Sequence, residues 1–306
     1  MMAGRAMQRD APRDVETVDR SLIGLEKSRI RLLDSSTLTS IYLTAFRIRT
    51  FEFRVKEALK AREVLIPVYL GVGHELVAAT LAHTIPKPSG IFAQHRGHSY
   101  FLAFGGSMKA LADELRGRPT GANGGVGGSA SISDQGIGMF GHSGLMGDQV
   151  PIATGYAIAT GKPVLTVVGD ASGEEDYVYG ALGYAATRNA PLLCVCEDND
   201  LSILTPVSVR RRWRLADVAS ALGLASADVT DDPHLLASVL QGELSGWPAF
   251  LNVHVARHLW HAGAGTDGPP AWDRLAMVRE DLIDAGVEGL AELESQIVEE
   301  VDANWL

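Results

Sequence analysis

Residues 167–199 constrain the fold of this chain more than any other stretch. Leu165, Val167 and Val168 form a short apolar run that ends abruptly at Gly169-Asp170. Residues 177–187 are small and apolar, Pro191 stops the helix they predict, and residues 192–196 are a second apolar run. Strand, acidic turn, helix, strand and a closing Asp198-Asn199 make the repeating unit of a parallel sheet. In such sheets ligands bind outside the carboxyl ends of the strands. Asp170 and Asn199 therefore reach one sheet edge from two strands.

The rest of the chain continues the alternation. Leu38, Ile41, Ala45, Ile48, Phe51, Val55 and Leu59 recur at three- and four-residue steps, which predicts an amphipathic helix capped by Ser35, Ser36 or Thr37. Further helices are expected over 74–83, 108–115, 150–160, 215–222, 231–241 and most of 274–304, and further strands over 91–92 and 249–255. Residues 121–128 and 140–147 read as glycine-rich turns. Strands alternating with helices imply an α/β fold, a parallel sheet flanked by helices. Without a repeat or a low-complexity linker, residues 21–306 are expected to form a single α/β domain. Residues 1–20, polar and without apolar periodicity, read as a frayed tail.

Charge narrows the function. The net charge is −10 and no basic cluster is dense enough for a nucleic-acid footprint. The tight run Arg210, Arg211, Arg212 and Arg214 reads as a solvated loop or helix start. Cys194 and Cys196 fall on one face of their strand, as buried thiols and not as a disulfide or metal pair. No apolar run reaches membrane-spanning length and no secretory segment follows the start, so a cytoplasmic protein that binds no membrane is expected.

The residues at the strand ends suggest chemistry. A carboxylate and an amide oxygen give hard-oxygen ligation, suited to Mg²⁺ sharing its shell with phosphates. Arg96, in His95-Arg96-Gly97-His98, offers paired planar donors for phosphate oxygens. Each signal alone has an ordinary reading: a helix-capping Asp, a surface Arg, a turn rich in glycine.

Together they resemble a known family. Residues 169–199 resemble the thiamine diphosphate motif, which begins GDG and closes on a doubled Asn. From about Leu38 to about His261 the chain resembles the alpha subunit of thiamine diphosphate-dependent 2-oxo-acid dehydrogenases and acetoin dehydrogenases. The resemblance implies thiamine diphosphate and Mg²⁺ as cofactors. It assigns the Asp170 and Asn199 side chains and the Leu201 carbonyl to the metal. Arg96, with His95 in the place of a family Tyr, goes to the diphosphate, with Gly169, Ala171 and Ser172 around it. Gly141-His142-Ser143-Gly144-Leu145-Met146-Gly147 resembles the turn GNGIVG, which implies backbone bonds from Gly144 and Met146 to the aminopyrimidine ring. Catalysis would fall to His98 and to a histidine of the late loop, His261 in preference to His258 because glycines follow it. Glu75, in a segment resembling GQE, is expected to fix structure as much as chemistry.

The chain departs from the family at Ala171, Asp198 and Ser131, which replace the third residue of GDG, the first Asn and the His of GGSMH. Its late loop has no GHS signature.

In the family, the Glu that activates the pyrimidine comes from a separate pyrimidine-binding domain. After Val255 about fifty residues remain, too few for such a domain. The resemblance thus implies a beta subunit carrying that domain and that Glu, in an alpha2-beta2 assembly, with a lipoyl acyltransferase or another acyl acceptor downstream. The implied reaction cleaves a 2-oxo acid or acyloin beside its carbonyl and transfers the activated fragment, as a dehydrogenase component or a carboligating transferase. Two other readings stand beside it. One is the N-terminal half of a split transketolase-like enzyme, which would call for several histidines around a sugar and its phosphate. The other is a non-catalytic binding partner subunit, for which Ala171 and Ser131 speak.

Overall fold

The computed structural model describes residues 30–266 and 268–305, so the tail expected over 1–20 lies outside the described residues. The chain opens with α1 (Ser35–Lys60), α2 (Glu75–Thr84), β1 (Gly90–Phe92), α3 (His98–Ala103), α4 (Met108–Leu115), β2 (Met139–Phe140) and α5 (Gln149–Thr160). The central unit follows: β3 (Val164–Gly169), α6 (Asp176–Arg188) and β4 (Leu192–Asp198). Next come a hairpin of β5 (Leu201–Ser202) and β6 (Thr205–Pro206), then α7 (Val207–Arg210) and α8 (Leu215–Ala221). The chain ends with β7 (Ala225–Thr230), α9 (Pro233–Gln241), β8 (Ala249–His254), α10 (Arg274–Asp284) and α11 (Leu290–Trp305).

Six strands form one parallel sheet in the order β2-β1-β3-β4-β8-β7, flanked by helices. Every residue of β4 is buried, and of β3 all but Gly169. A parallel strand covered on both faces needs apolar residues at every position, which is why these two runs stood out in the sequence. Cys194 and Cys196 pack with Val168, Leu182 and Phe250 on one face, while Leu193 and Val195 join Leu165, Val167 and Leu251 on the other. Both thiols are free and buried, as the spacing implied.

Several local features differ from the sequence reading, among them the short α3, β2, β5, β6 and α7, which it did not expect. The cap of α1 is Asp34, whose carboxylate accepts the Thr37 N–H at 2.9 Å; a charged acceptor also suits the positive end of the helix. The strand β7 is an edge strand with only Val229 and Thr230 buried, so it carries too few apolar residues to be read from composition. Helix α9 begins at Pro233 behind the Asp232 cap, which frees Asp231 to accept from Trp272 and Arg274.

The glycine-rich stretch over 121–128 is organised by one side chain. Glu114, fully buried at the end of α4, accepts the N–H groups of Asn123 and Gly125 on one oxygen and of Gly127 and Gly128 on the other, at 2.7–2.9 Å. A chain without regular structure leaves its backbone donors unpaired, and here a carboxylate supplies the acceptors. Among the described residues no helix is long and apolar enough to cross a membrane.

Candidate functional site

The carboxyl ends of β1, β3, β4 and β8 meet at one edge of the sheet. Register sets Gly169 opposite Glu197 and Asp198 opposite His254. A cavity of about 340 Å³ opens there. The loop after β1 contributes His95 and Arg96, and the turn before α5 contributes Gly144 and Met146. Gly169, Asp170, Ala171 and Ser172 come from the turn after β3, Asn199 and Leu201 follow β4, and His261 follows β8. Every position singled out for cofactor or metal is on this one wall.

His98 is not on it. The ring is buried, with Nδ1 3.1 Å from Glu52 Oε1 and Nε2 3.0 Å from Ser129 Oγ. Ser129 Oγ also accepts the Tyr69 N–H at 3.2 Å. The Tyr69 ring stands edge-on to His95 and to His261, with centroids 4.9 and 5.5 Å away. His98 thus sits one layer behind the cavity wall. Of the two late-loop histidines, His258 turns Nε2 to the Trp272 carbonyl at 3.0 Å and only His261 lines the cavity. Glu75 has the structural place expected of it, paired with buried Arg49 and accepting the Gly73 N–H at 2.9 Å.

The arginine run 210–214 is only half solvated, which corrects the sequence reading. Arg210 pairs with the Asp170 carboxylate and reaches Glu174 at 2.5 Å. Arg211 donates to the Asp170 carbonyl at 2.9 Å, pairs with Glu174, and lies 3.2 Å from Asp198 Oδ2. Arg212 and Arg214 remain exposed. The physical reason is the cluster of acids at the ends of β3 and β4: buried carboxylates require counter-charge, and the nearest flexible cations supply it. Burial first, then the Asp198 charge, pushes the Asp170 carboxyl up to about 6 against the pull of the two arginines.

Other wall residues gave little warning. Glu197, 1% exposed, accepts from Gln94 at 2.7 Å and from the Tyr100 hydroxyl at 2.8 Å, with His74 Nδ1 at 3.1 Å. A Glu inside an apolar strand was the available signal. Burial, with the positive charge of Arg96 beside it, pushes His95 down to about 2, so its ring stays neutral. Its Nε2 faces the Arg96 guanidinium and must accept, which leaves the proton on Nδ1. That Nδ1 is buried with no partner, as is Nε2 of His142, whose Nδ1 accepts the Gly144 N–H at 2.7 Å.

The two turns of the site lean on each other. Gly147 has φ +97°, and a Cβ there would stand 2.9 Å from the Ser172 carbonyl oxygen, so only glycine fits the approach. Ser131, in the place of a family His, donates to the His142 carbonyl at 2.6 Å.

The fold is an α/β domain of transketolase type, with a cavity at the strand carboxyl ends. Transketolase from Campylobacter jejuni superposes with a TM-score of 0.56 at 14% identity, covering 89% of this chain and 49% of that one. Transketolase from Leishmania mexicana gives 0.53 over 90% and 48%. At such identity the likeness is one of fold.

Residues 44–236 match the family described as Dehydrogenase E1 component, and the chain belongs to that family. It is 27% identical to the alpha subunit of acetoin:2,6-dichlorophenolindophenol oxidoreductase of Cupriavidus necator, over 75% of this chain and 72% of that one. It is 28% identical to the mitochondrial pyruvate dehydrogenase E1 component subunit alpha of Saccharomyces cerevisiae, over 67% of this chain and 52% of that one. The chain thus spans about half the length of the yeast subunit and of the transketolases.

Proposed function

We propose that this chain is the alpha subunit of a two-chain thiamine diphosphate-dependent enzyme. It would act in the cytoplasm on a 2-oxo acid or an acyloin and transfer the activated fragment to a lipoyl acyltransferase or another acyl acceptor. Residues 21–306 would form its single domain. The observation that carries the reading is convergence: four separate segments bring every position assigned to cofactor and metal to one cavity wall, and a fifth brings His261.

The donors present fit the cofactor. His95 Nδ1 and His142 Nε2 are buried polar atoms in that wall without partners, and such atoms call for a polar ligand. Arg96 and the 169–172 turn would hold the diphosphate, and the backbone of Gly144 and Met146 the aminopyrimidine. Asp170, Asn199 and the Leu201 carbonyl would hold Mg²⁺ once Arg210 gives up its place on Asp170. Thiamine diphosphate, when bound, supplies the electron sink for cleavage beside a carbonyl.

His261 is the residue placed to face the transferred fragment. His98 acts through Ser129 and Tyr69, as a positioning residue. Glu197 is committed to Gln94 and Tyr100 in this chain and Asp170 is assigned to the metal, which supports leaving the activating Glu to the pyrimidine-binding domain of a beta subunit. Leu145, Ile203, Leu204 and Val209, at the cavity, next to it or on α7, are 55–74% exposed, and a partner surface would cover them.

The test uses the complex purified with its partner from its host. Thiamine diphosphate with Mg²⁺ should bind saturably by titration calorimetry, and Asp170→Ala should abolish binding without unfolding the chain. Unchanged affinity in Asp170→Ala would overturn the site. Carbon dioxide release from 2-oxo acids by the isolated chain would overturn the two-chain reading.

A further inference from the structure

The segment that carries Arg210 and Arg211 has little else to hold it. The helix α7 contains no buried residue, and Val209 at its centre is 74% exposed. Its start is tied by the Val207 N–H to the Asp200 carbonyl at 3.0 Å, and the hairpin before it by Arg257 to the Ile203 carbonyl at 3.0 Å. The side-chain contacts of α7 with the sheet edge are those of its last residue, Arg210, on Asp170 and Glu174, and Arg211 just beyond the helix holds Glu174 and Asp198.

Those contacts are incomplete. Nε of Arg210 and Nε of Arg211 are both buried without a partner. Arg210 gives one bond to each of two carboxylates, Nη2 to Asp170 and Nη1 to Glu174, and so forgoes the two parallel bonds that make an Arg–carboxylate pair strong. Two arginines serve three acids here, of which Asp170 and Asp198 are buried and Glu174 is part-exposed. The arrangement holds a cation at Asp170 without binding that cation as well as it could.

We propose that Arg210 is the resident counter-ion of this site: it occupies Asp170 before loading, and the divalent cation accompanying a diphosphate displaces it. Displacement lifts α7 from the sheet edge while Arg211 stays on Glu174 and Asp198. The proposal rests on the reading of the cavity as a diphosphate and metal site. It adds that cation affinity is set by a competing side chain as well as by the metal ligands.

Two measurements test it. In the purified complex, Mg²⁺ is titrated at saturating thiamine diphosphate, with tryptophan fluorescence as the readout. Arg210→Gln removes the competitor and should lower the Mg²⁺ needed for half-saturation about tenfold. Arg210→Lys keeps a positive charge and should stay within about threefold of the unaltered protein. An unchanged or raised requirement in Arg210→Gln overturns the proposal, since Arg210 would then be a bystander or a ligand of the diphosphate.

The second measurement needs no cofactor. In the full chain, Asp170→Asn should speed trypsin cleavage after Arg210 about tenfold, because the side chain loses the buried one of its two carboxylates and keeps only Glu174. Equal rates overturn the counter-ion contact. Faster cleavage in Asp170→Asn, with no Mg²⁺-dependent thiamine diphosphate binding in any form of the complex, overturns the cofactor reading while the contact itself stands.

Discussion

His98 Nε2 lies 3.0 Å from Ser129 Oγ, behind the cavity wall and not in it. With Glu52 on its other nitrogen, the ring joins α1 to the segment that carries Ser129. His261 is half-buried in the wall itself. The two histidines therefore separate by experiment.

Removing His98 should damage the fold. His98→Ala leaves the fully buried Glu52 carboxylate without its closest hydrogen-bond partner, at a cost of about 1–3 kcal/mol. Urea unfolding of the full chain would show it as a lower midpoint. His98→Gln, which can still bridge Glu52 and Ser129, should lose less. A cost below about 1 kcal/mol in His98→Ala would show that the buried pair holds nothing.

Removing His261 should damage turnover instead. His261→Ala is expected to change stability by less than about 1 kcal/mol. Turnover of the assembled enzyme should fall about 10²-fold, with thiamine diphosphate affinity within about threefold. Full turnover would make His261 a structural residue.

Glu114 carries the glycine-rich stretch. Glu114→Ala strands four backbone N–H groups, which at about 1–3 kcal/mol for each unsatisfied donor is enough to unfold the stretch over 121–128 locally. Hydrogen exchange at Asn123, Gly125, Gly127 and Gly128 should accelerate at least tenfold. Exchange at the protected rate would mean that the loop holds its shape without the carboxylate.

His254 makes stability depend on pH. Burial would lower its pKa, but the Asp228 carboxylate at 2.7 Å outweighs this, with help from Asp198, and the net shift is upward. A histidine raised above its unfolded value of about 6.5 stabilises the fold below that pH and loses the contribution as pH rises through the folded pKa. The thermal midpoint of the unaltered chain should therefore drop more from pH 6 to pH 8 than that of His254→Gln. Parallel pH profiles in the two proteins would refute the assignment.

The sheet was legible because its two central strands are buried on both faces, which forces unbroken apolar runs on either side of Asp170 and Asn199. The cavity was legible because its wall is built from strand ends and glycine turns, whose residue types are dictated locally. Arg210 and Arg211 were not. Their partners lie on two other elements, and nothing in a run of arginines tells which will be drawn inward by acids far away in the chain. The same holds for Glu114, whose acceptors serve a loop that follows it. The edge strand β7 escaped because an edge strand buried over two residues leaves no apolar signature.

The chain has two cysteines, and both lie in β4 at the centre of the sheet. Burial pushes both thiols well above their ordinary range, and only the thiolate attacks an alkylating reagent. Neither sulfur can then be labelled while the sheet is closed. One opening of the innermost strand exposes both sulfurs at once, so where alkylation outpaces reclosing the loss of unlabelled protein is a clock for the rate at which its centre comes apart.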